Sequence, residues 1–188
     1  PIDWDAKDME LDSGAIDCIW NGFTMNGRED QYTFSSPYVD NSQVFVVAEG
    51  SGIATQADLA GKTVGVQKDS SALAALEGDA KALADTFGAL NQYADYNTAF
   101  MDLEAGALDA LAIDIGVANY QIASRDGGYV MLDEYLSTEQ YAIGFKKGNE
   151  ELRDTVEEVL MDMVEDGTFM EIAEKYADHG LTDSVCLG

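Results

Sequence analysis

Lys62-Thr63-Val64-Gly65-Val66-Gln67-Lys68-Asp69-Ser70-Ser71-Ala72-Leu73 is the stretch that decides the fold class. Its first six residues carry the β-branched Thr63, Val64 and Val66 and read as a buried strand. Lys68 and Asp69 end that pattern, and residues 70–87 are rich in Ala and Leu, which is helical composition. A strand that runs directly into a helix is the repeating unit of α/β proteins. Working outward, residues 43–47 form a second apolar run, and residues 107–113 a third strand that leads into a helix at 116–124. Residues 98–106 also read as helix, residues 92–95, 129–132 and 141–145 as strands. Towards the amino end, a short helix near residues 6–11 precedes an apolar strand at 15–20. The chain finishes in two amphipathic helices, 150–166 and 168–177, separated by the stop signal Asp166-Gly167, with Asn149 as a side-chain cap for the first. The expected class is α/β, without a Pro- or Ser-rich linker, an internal repeat or a low-complexity segment.

Composition narrows the function. The 188 residues carry 36 Asp+Glu against 10 Lys+Arg, a net charge of -26. Such a surface repels phosphate backbones and anionic headgroups, so nucleic-acid and membrane-surface binding are poor readings. The hydrophobic content of 46% suffices for a core. No apolar run approaches the ~20 residues that span a bilayer, and no cationic leader followed by an apolar stretch opens the chain. It begins at Pro1-Ile2-Asp3, as a processed or truncated chain does. Two cysteines, Cys18 and Cys186, leave open a disulfide that would close nearly the whole chain, although Cys18 reads most simply as a buried small hydrophobe. A CxxC or Cys/His cluster is absent and His179 reads as a helix-end residue, which sets aside zinc chemistry and Cys/His catalysis. The acidic run Asp3, Asp5, Asp8, Glu10, Asp12 lacks the turn Gly and the bidentate Glu of a calcium loop and reads as a solvated face.

Three segments place polar groups where open α/β sheets bind ligands, at strand ends and helix starts. Asn21-Gly22-Phe23-Thr24-Met25-Asn26-Gly27-Arg28 follows the strand that ends at Trp20. An Arg there suits bidentate recognition of a carboxylate, or pairs with Glu29 or Asp30 at the surface. Gln67-Lys68-Asp69-Ser70-Ser71 offers hydroxyls and N–H groups at a helix start, for an anion or for capping alone. Asp114 ends a strand before a helix and either accepts from an ammonium or caps the helix. Together a guanidinium, a helix start and a carboxylate complement a free α-amino acid.

Gly14-Ala15-Ile16-Asp17-Cys18-Ile19-Trp20-Asn21-Gly22-Phe23-Thr24, then Arg28, then Phe34-Ser35-Ser36-Pro37-Tyr38, resembles the type 2 solute-binding proteins of polar amino-acid ABC importers. Asp58-Leu59-Ala60-Gly61-Lys62-Thr63-Val64-Gly65-Val66-Gln67, Leu103-Glu104-Ala105-Gly106-Ala107-Leu108-Asp109-Ala110 and Tyr141-Ala142-Ile143-Gly144-Phe145-Lys146-Lys147-Gly148-Asn149 continue the resemblance in order, as do Asp166-Gly167-Thr168 and Ile172-Ala173-Glu174-Lys175-Tyr176. It covers essentially the whole chain. Thr24 and Arg28 stand one residue closer than in the common family form, where a Pro-Glu pair often precedes the Arg.

The resemblance implies a two-lobed α/β periplasmic-binding-protein-like II fold. Residues 1–47 and 148–188 would form a first lobe lacking its opening strand and helix, residues 48–139 a second, with hinge strands near 44–47 and 141–145. It implies that Arg28, with Ser70 and Ser71, takes the ligand carboxylate. Asp114 takes the ammonium, helped by the Thr24 hydroxyl and the Gly22 carbonyl. Trp20, Asn21 and Phe23, with Gln140 or Tyr141, would line the pocket for a polar or basic side chain. Neither cofactor nor metal is implied. The implied partners are a free amino acid and an ABC transporter permease, in the periplasm or on the cell surface through a lipid anchor. A first lobe with an open sheet edge would also favour a dimer or strand exchange. Other readings on the same fold are a cyclohexadienyl or arogenate dehydratase and the sensing domain of a receptor.

Overall fold

The computed structural model describes residues 2–125, 128–177 and 180–187; His179 lies outside them. Its strands are β1 (Cys18–Ile19), β2 (Tyr32–Phe34), β3 (Val39–Ala48), β4 (Thr63–Gln67), β5 (Ala89–Tyr93), β6 (Ala110–Asp114), β7 (Tyr129–Met131), β8 (Ser137–Tyr141) and β9 (Gly144–Lys146). Its helices are α1 (Lys7–Ser13), α2 (Ser71–Glu77), α3 (Lys81–Ala84), α4 (Tyr96–Glu104), α5 (Ile115–Ser124), α6 (Glu150–Glu165), α7 (Thr168–Glu174) and α8 (Leu181–Ser184). The chain divides into two units. One holds residues 1–2, 6–41 and 139–188, the other residues 3–5 and 42–138. The chain therefore passes from one unit to the other within β3 at 41/42 and within β8 at 138/139, whereas the resemblance sets the crossings nearer 44–47 and 141–145.

The second unit is a twisted sheet in the order β5-β4-β6-β3-β7, with β8 also paired to β3. The β5, β4 and β6 strands are parallel, as strand–helix–strand connections require, and β3 runs antiparallel to β6. Period-two alternation sorts its side chains. Phe45, Val47, Val64, Val66, Ala110 and Ala112 pack on one face with α2 residues Ala72, Leu73 and Leu76. Val44, Val46, Leu111 and Ile113 pack on the other with Ala99, Phe100 and Leu103 of α4 and Ala118 of α5. A sheet covered on both faces needs continuous apolar strands, which is why β3 and β6 lack polar alternation at their centres.

The first unit is smaller, an antiparallel sheet in the order β1-β9-β2. Ile143, Phe145 and Leu160 form its buried cluster, with Cys18, Val156, Phe169 and Leu187 packed around it. Phe23 has no exposed surface and meets Tyr32 edge to face at 5.0 Å and Phe34 at 5.6 Å. Cys18 and Cys186 are free thiols. Cys18 sits on β1, while the Cys186 N–H bonds the Tyr38 carbonyl beyond β2.

Several elements differ from the sequence expectation for local reasons. The strand at 15–20 contracts to Cys18–Ile19, because Gly14 in the left-handed region caps α1 and the N–H groups of Ala15 and Ile16 still bond the Glu10 carbonyl. The helix at 70–87 breaks at Gly78 into α2 and α3. The strand at 92–95 begins earlier, at Ala89, and stops at Tyr93 because Asp95 caps α4. The strand at 141–145 is split between β8 and β9, and β2 is an element the reading omits. Asn149 occupies the cap position of α6 without a side-chain cap bond.

An added Cβ at Gly144 would lie 2.7 Å from the Phe23 ring. That ring is held by Tyr32 and Phe34 and cannot retreat, so Gly144→Ala is expected to cost about 1–3 kcal/mol in urea unfolding. A loss within error would show that Phe23 moves freely. Asp58, Asp95 and Asp166 sit below the usual carboxylate range because each accepts hydrogen bonds at a helix start: Asp58 from the Ala54 and Thr55 N–H groups, Asp95 from Thr98, Asp166 from Thr168. Folded values below unfolded ones give stabilisation that is full above the unfolded range and drains as pH falls through the lowered values. The unfolding midpoint should fall on acidification, and Asp95→Asn, which keeps a capping oxygen, should flatten that acid-side slope.

Candidate functional site

The first group of site residues lies in the loop between β1 and β2. After Ile19 the chain leaves the β9 ladder, turns at Gly22 (φ 78°) and pairs with the end of β8 and the residue after it: Ala142 N–H donates to the Phe23 carbonyl (3.0 Å), Met25 N–H to the Gln140 carbonyl (3.0 Å), and Thr24 bridges Tyr141. Gly22 packs on the Tyr141 ring so closely that a Cβ would lie 3.0 Å from it. Met25-Asn26-Gly27-Arg28 then closes as a turn, with the Arg28 N–H 3.0 Å from the Met25 carbonyl. Gly27 at φ 77° in its third position makes it type II, where glycine avoids the penalty of a left-handed residue. The turn directs Arg28 back over the loop. Its Nη1 donates to the Thr24 carbonyl (3.1 Å) and its guanidinium lies 5.0 Å from the Phe23 ring centre. Two fixed contacts thus orient a half-buried guanidinium, an arrangement suited to bidentate pairing with a carboxylate.

Trp20 is 53% exposed and is not a core residue. Its indole N–H and the Gly22 N–H both donate to the Tyr38 oxygen, while burial pushes the Tyr38 phenol above its usual range. The polar edge of Trp20 is therefore tied down. Asn21 is exposed beside it. Phe23, expected to line the pocket, is instead fully buried, and reaches the site only through the guanidinium on its face.

The second group lies in the other unit, at the carboxyl ends of the neighbouring parallel strands β4 and β6. Ser70 is the cap of α2: its Oγ accepts from the Leu73 N–H (3.2 Å) and donates to the Gln67 carbonyl (2.8 Å). Its hydroxyl is thereby engaged in capping, and the half-buried Ser71 is the first helical residue after it. Asp69, just before, is the one non-glycine residue with positive φ among those described (58°), a conformation Asp tolerates better than most. Asp114 stands at the cap position of α5, yet makes no side-chain cap bond. The fully buried Gln43, its partner across the β3–β6 ladder, donates Nε2 to Asp114 Oδ1 at 2.9 Å. Asp114 is thus held by the sheet and not by the helix it precedes. Sequence reasoning omits Gln43 and Tyr38; the signal for Gln43 is a glutamine at the head of the apolar run 43–47.

A cavity of about 210 Å³ in the first unit, lined by Asp8, Leu11, Asp12, Gln31, Tyr32, Lys146 and Lys147, has its lysines already bound. Lys146 donates to the Asp12 carbonyl (2.6 Å) and Lys147 to those of Glu29 (2.8 Å) and Tyr32 (3.2 Å). Among the described residues no group of three or more His, Cys, Asp and Glu is placed to hold a metal, and no helix is long and apolar enough to cross a membrane.

Each unit thus carries one charged group fixed by its own fold, the Arg28 guanidinium in the first and the Asp114 carboxylate in the second. The chain belongs to the bacterial extracellular solute-binding proteins, family 3, whose model matches residues 1–179. It is 29% identical over 179 residues to the L-cystine-binding protein TcyJ of Escherichia coli K12, covering 94% of this chain and 65% of that one. It is 29% identical over 192 residues to the histidine-binding periplasmic protein of Salmonella typhimurium LT2, covering 93% and 69%. The fold matches, with a TM-score of 0.89 and 37% identity, an ABC uptake transporter substrate-binding protein from Streptococcus pneumoniae with bound histidine, over 94% of this chain and 74% of that one. The chain is thus an α/β periplasmic-binding-protein-type fold spanning about two thirds of the curated relatives' length, and these relatives carry the names of binding proteins, not enzymes.

Tyr38→Phe removes the acceptor shared by Trp20 and Gly22. In a Trp4→Phe background, which leaves Trp20 as the reporter, the variant should show altered Trp20 emission and a stability loss of about 1 kcal/mol. Unchanged emission would mean that Tyr38 does not set the indole's position.

Proposed function

We propose that this chain binds a free α-amino acid outside the cytoplasm and delivers it to an ABC transporter permease. The observation that carries the reading is the orientation of Arg28, whose guanidinium is fixed on the Phe23 face by the Thr24 carbonyl. It supplies the charge for the ligand carboxylate, with the Ser71 hydroxyl assisting and Ser70 acting by capping. Asp114, steadied by Gln43, supplies the charge for the ammonium, with the Thr24 hydroxyl and the Gly22 carbonyl as further acceptors. Trp20 and Asn21 meet the ligand side chain. The cystine- and histidine-binding relatives support an amino acid as the solute, and the acidic surface together with the exposed indole face favours a polar or basic one. The reaction is binding without catalysis, and no cofactor enters it.

The names of the relatives support a periplasmic or cell-surface setting, the latter through a lipid anchor. The two-residue β1 strand is an edge of the first unit's sheet among the described residues, which favours pairing with a second copy or with another strand.

A thermal-shift screen of the twenty amino acids tests the site, since a ligand that binds only the native state raises the midpoint by mass action. At least one amino acid should stabilise the chain. Arg28→Ala should abolish the response and Arg28→Lys weaken it, because an ammonium cannot form the bidentate pair. Asp114→Asn should weaken it about tenfold or more. An intact response in Arg28→Ala would rule out the assignment.

A further inference from the structure

The two Asn-Gly dipeptides of the sequence, Asn21-Gly22 and Asn26-Gly27, both fall in the Arg28 loop, and their surroundings differ in the one respect that governs spontaneous amide loss. In that reaction the backbone nitrogen of the following residue attacks the asparagine Cγ. Ammonia leaves and a cyclic succinimide forms. Water then opens the ring at either carbonyl, giving aspartate or isoaspartate, so the balance is asparagine plus water to acid plus ammonia. Glycine favours the attack because no side chain shields its nitrogen.

At Gly22 that nitrogen is occupied. Its N–H donates to the Tyr38 oxygen, and the residue is wedged against the Tyr141 ring. At Gly27 neither restraint exists. Among the described residues nothing accepts a hydrogen bond from the Gly27 N–H, no atom lies within 4 Å of where its Cβ would stand, and both Asn26 and Gly27 are exposed to water. The Gln140 N–H also donates to Asn26 Oδ1 at 2.7 Å, drawing electron density from Cγ, the atom under attack.

We propose that Asn26 is a deamidation site, that Asn21 is protected by Tyr38, and that conversion of Asn26 disables the loop. Either product places a carboxylate two residues from Arg28. The isoaspartyl product in addition routes the main chain through the former side chain. The added methylene opens the turn that the Arg28 N–H closes on the Met25 carbonyl and so moves the guanidinium off Phe23. The chain thereby carries an ageing switch at its carboxylate anchor; this consequence for ligand binding rests on the function proposed above, whereas the modification itself does not.

The test is to incubate the purified chain in warm, mildly alkaline buffer and follow both dipeptides by peptide mass spectrometry and isoaspartyl methyltransferase labelling. Acid should accumulate at Asn26 several-fold faster than at Asn21. In Tyr38→Phe, which frees the Gly22 N–H, Asn21 should accelerate while Asn26 keeps its rate. Equal rates in the unmodified chain, or no conversion at Asn26, would overturn the site. The functional half is read by comparing aged with fresh protein. The amino-acid response should be lost in step with conversion, and Asn26→Gln should keep its own fresh-state response through the same incubation. Conversion with an unchanged response would overturn the switch. If fresh chain responds to no amino acid, the proposed function fails instead, and the loop effect is then read from Trp20 emission of aged against fresh Trp4→Phe chain, where no change overturns it.

Discussion

Phe23 against Gly144 is the contact on which the first unit is arranged. The ring has no exposed surface and fills the space a side chain at 144 would take. Burying a phenylalanine in this way is worth about 2–3 kcal/mol, and Tyr32 and Phe34 close around it. The consequence extends beyond stability. Phe23 sits between two backbone pairings with the strand opposite, its own carbonyl bonded to Ala142 and the Met25 N–H bonded to Gln140. A ring fixed in the core therefore fixes the loop, and the same ring carries the Arg28 guanidinium 5.0 Å from its centre. The core and the orientation of this guanidinium are one construction.

The second unit arranges its chemistry differently. Its carboxylate and hydroxyls stand at the ends of parallel strands, held by the sheet register that pairs Gln43 with Asp114 and Val66 with Ala112. Asp114 gains its position from a buried amide and not from capping. A capping carboxylate would instead be tied to the helix N–H groups. Ser70 is the reverse case, a side chain whose hydroxyl capacity goes to α2 and whose contribution is to set Ser71 in place. Charge makes the asymmetry sharper. In a chain of net charge -26 a guanidinium is a local exception, and the Phe23 ring and the Thr24 carbonyl help to hold it.

How much of this was legible beforehand follows from what each feature depends on. The strand–helix unit at residues 62–73 was readable because period and composition change together there, and the continuous apolar run at 43–47 declared a strand buried on both faces. The short strands of the first unit were not. β1 and β2 have two and three residues, too few to show a period, and their pairing partner lies more than a hundred residues away. The positions of Arg28, Thr24 and Asp114 were readable as residue types at element ends. Which groups hold them was not, since Gln43 reaches Asp114 and Tyr38 reaches Trp20 only through tertiary pairing. Phe23 was misplaced for the same reason: an aromatic in a loop reads as exposed, and only the absence of a side chain at Gly144 makes room to bury it.

The spacing between Thr24 and Arg28, one residue shorter than the pattern the sequence resembles, finds its explanation in the turn that joins them. A type II turn over Met25–Arg28 reverses the chain within four residues, and Gly27 permits the positive φ this requires. The reversal brings Arg28 back towards its own loop, so that a side chain four residues on can donate to the Thr24 carbonyl. An extra residue would widen the loop and remove the geometric need for glycine, while lengthening the path from Thr24 to the guanidinium. The short turn thus gives the arginine a close anchorage on its own loop. The glycine that allows the tight turn is also the residue whose unshielded nitrogen stands next to the Asn26 side chain, so the compactness of the turn and the deamidation proposed for Asn26 have one source.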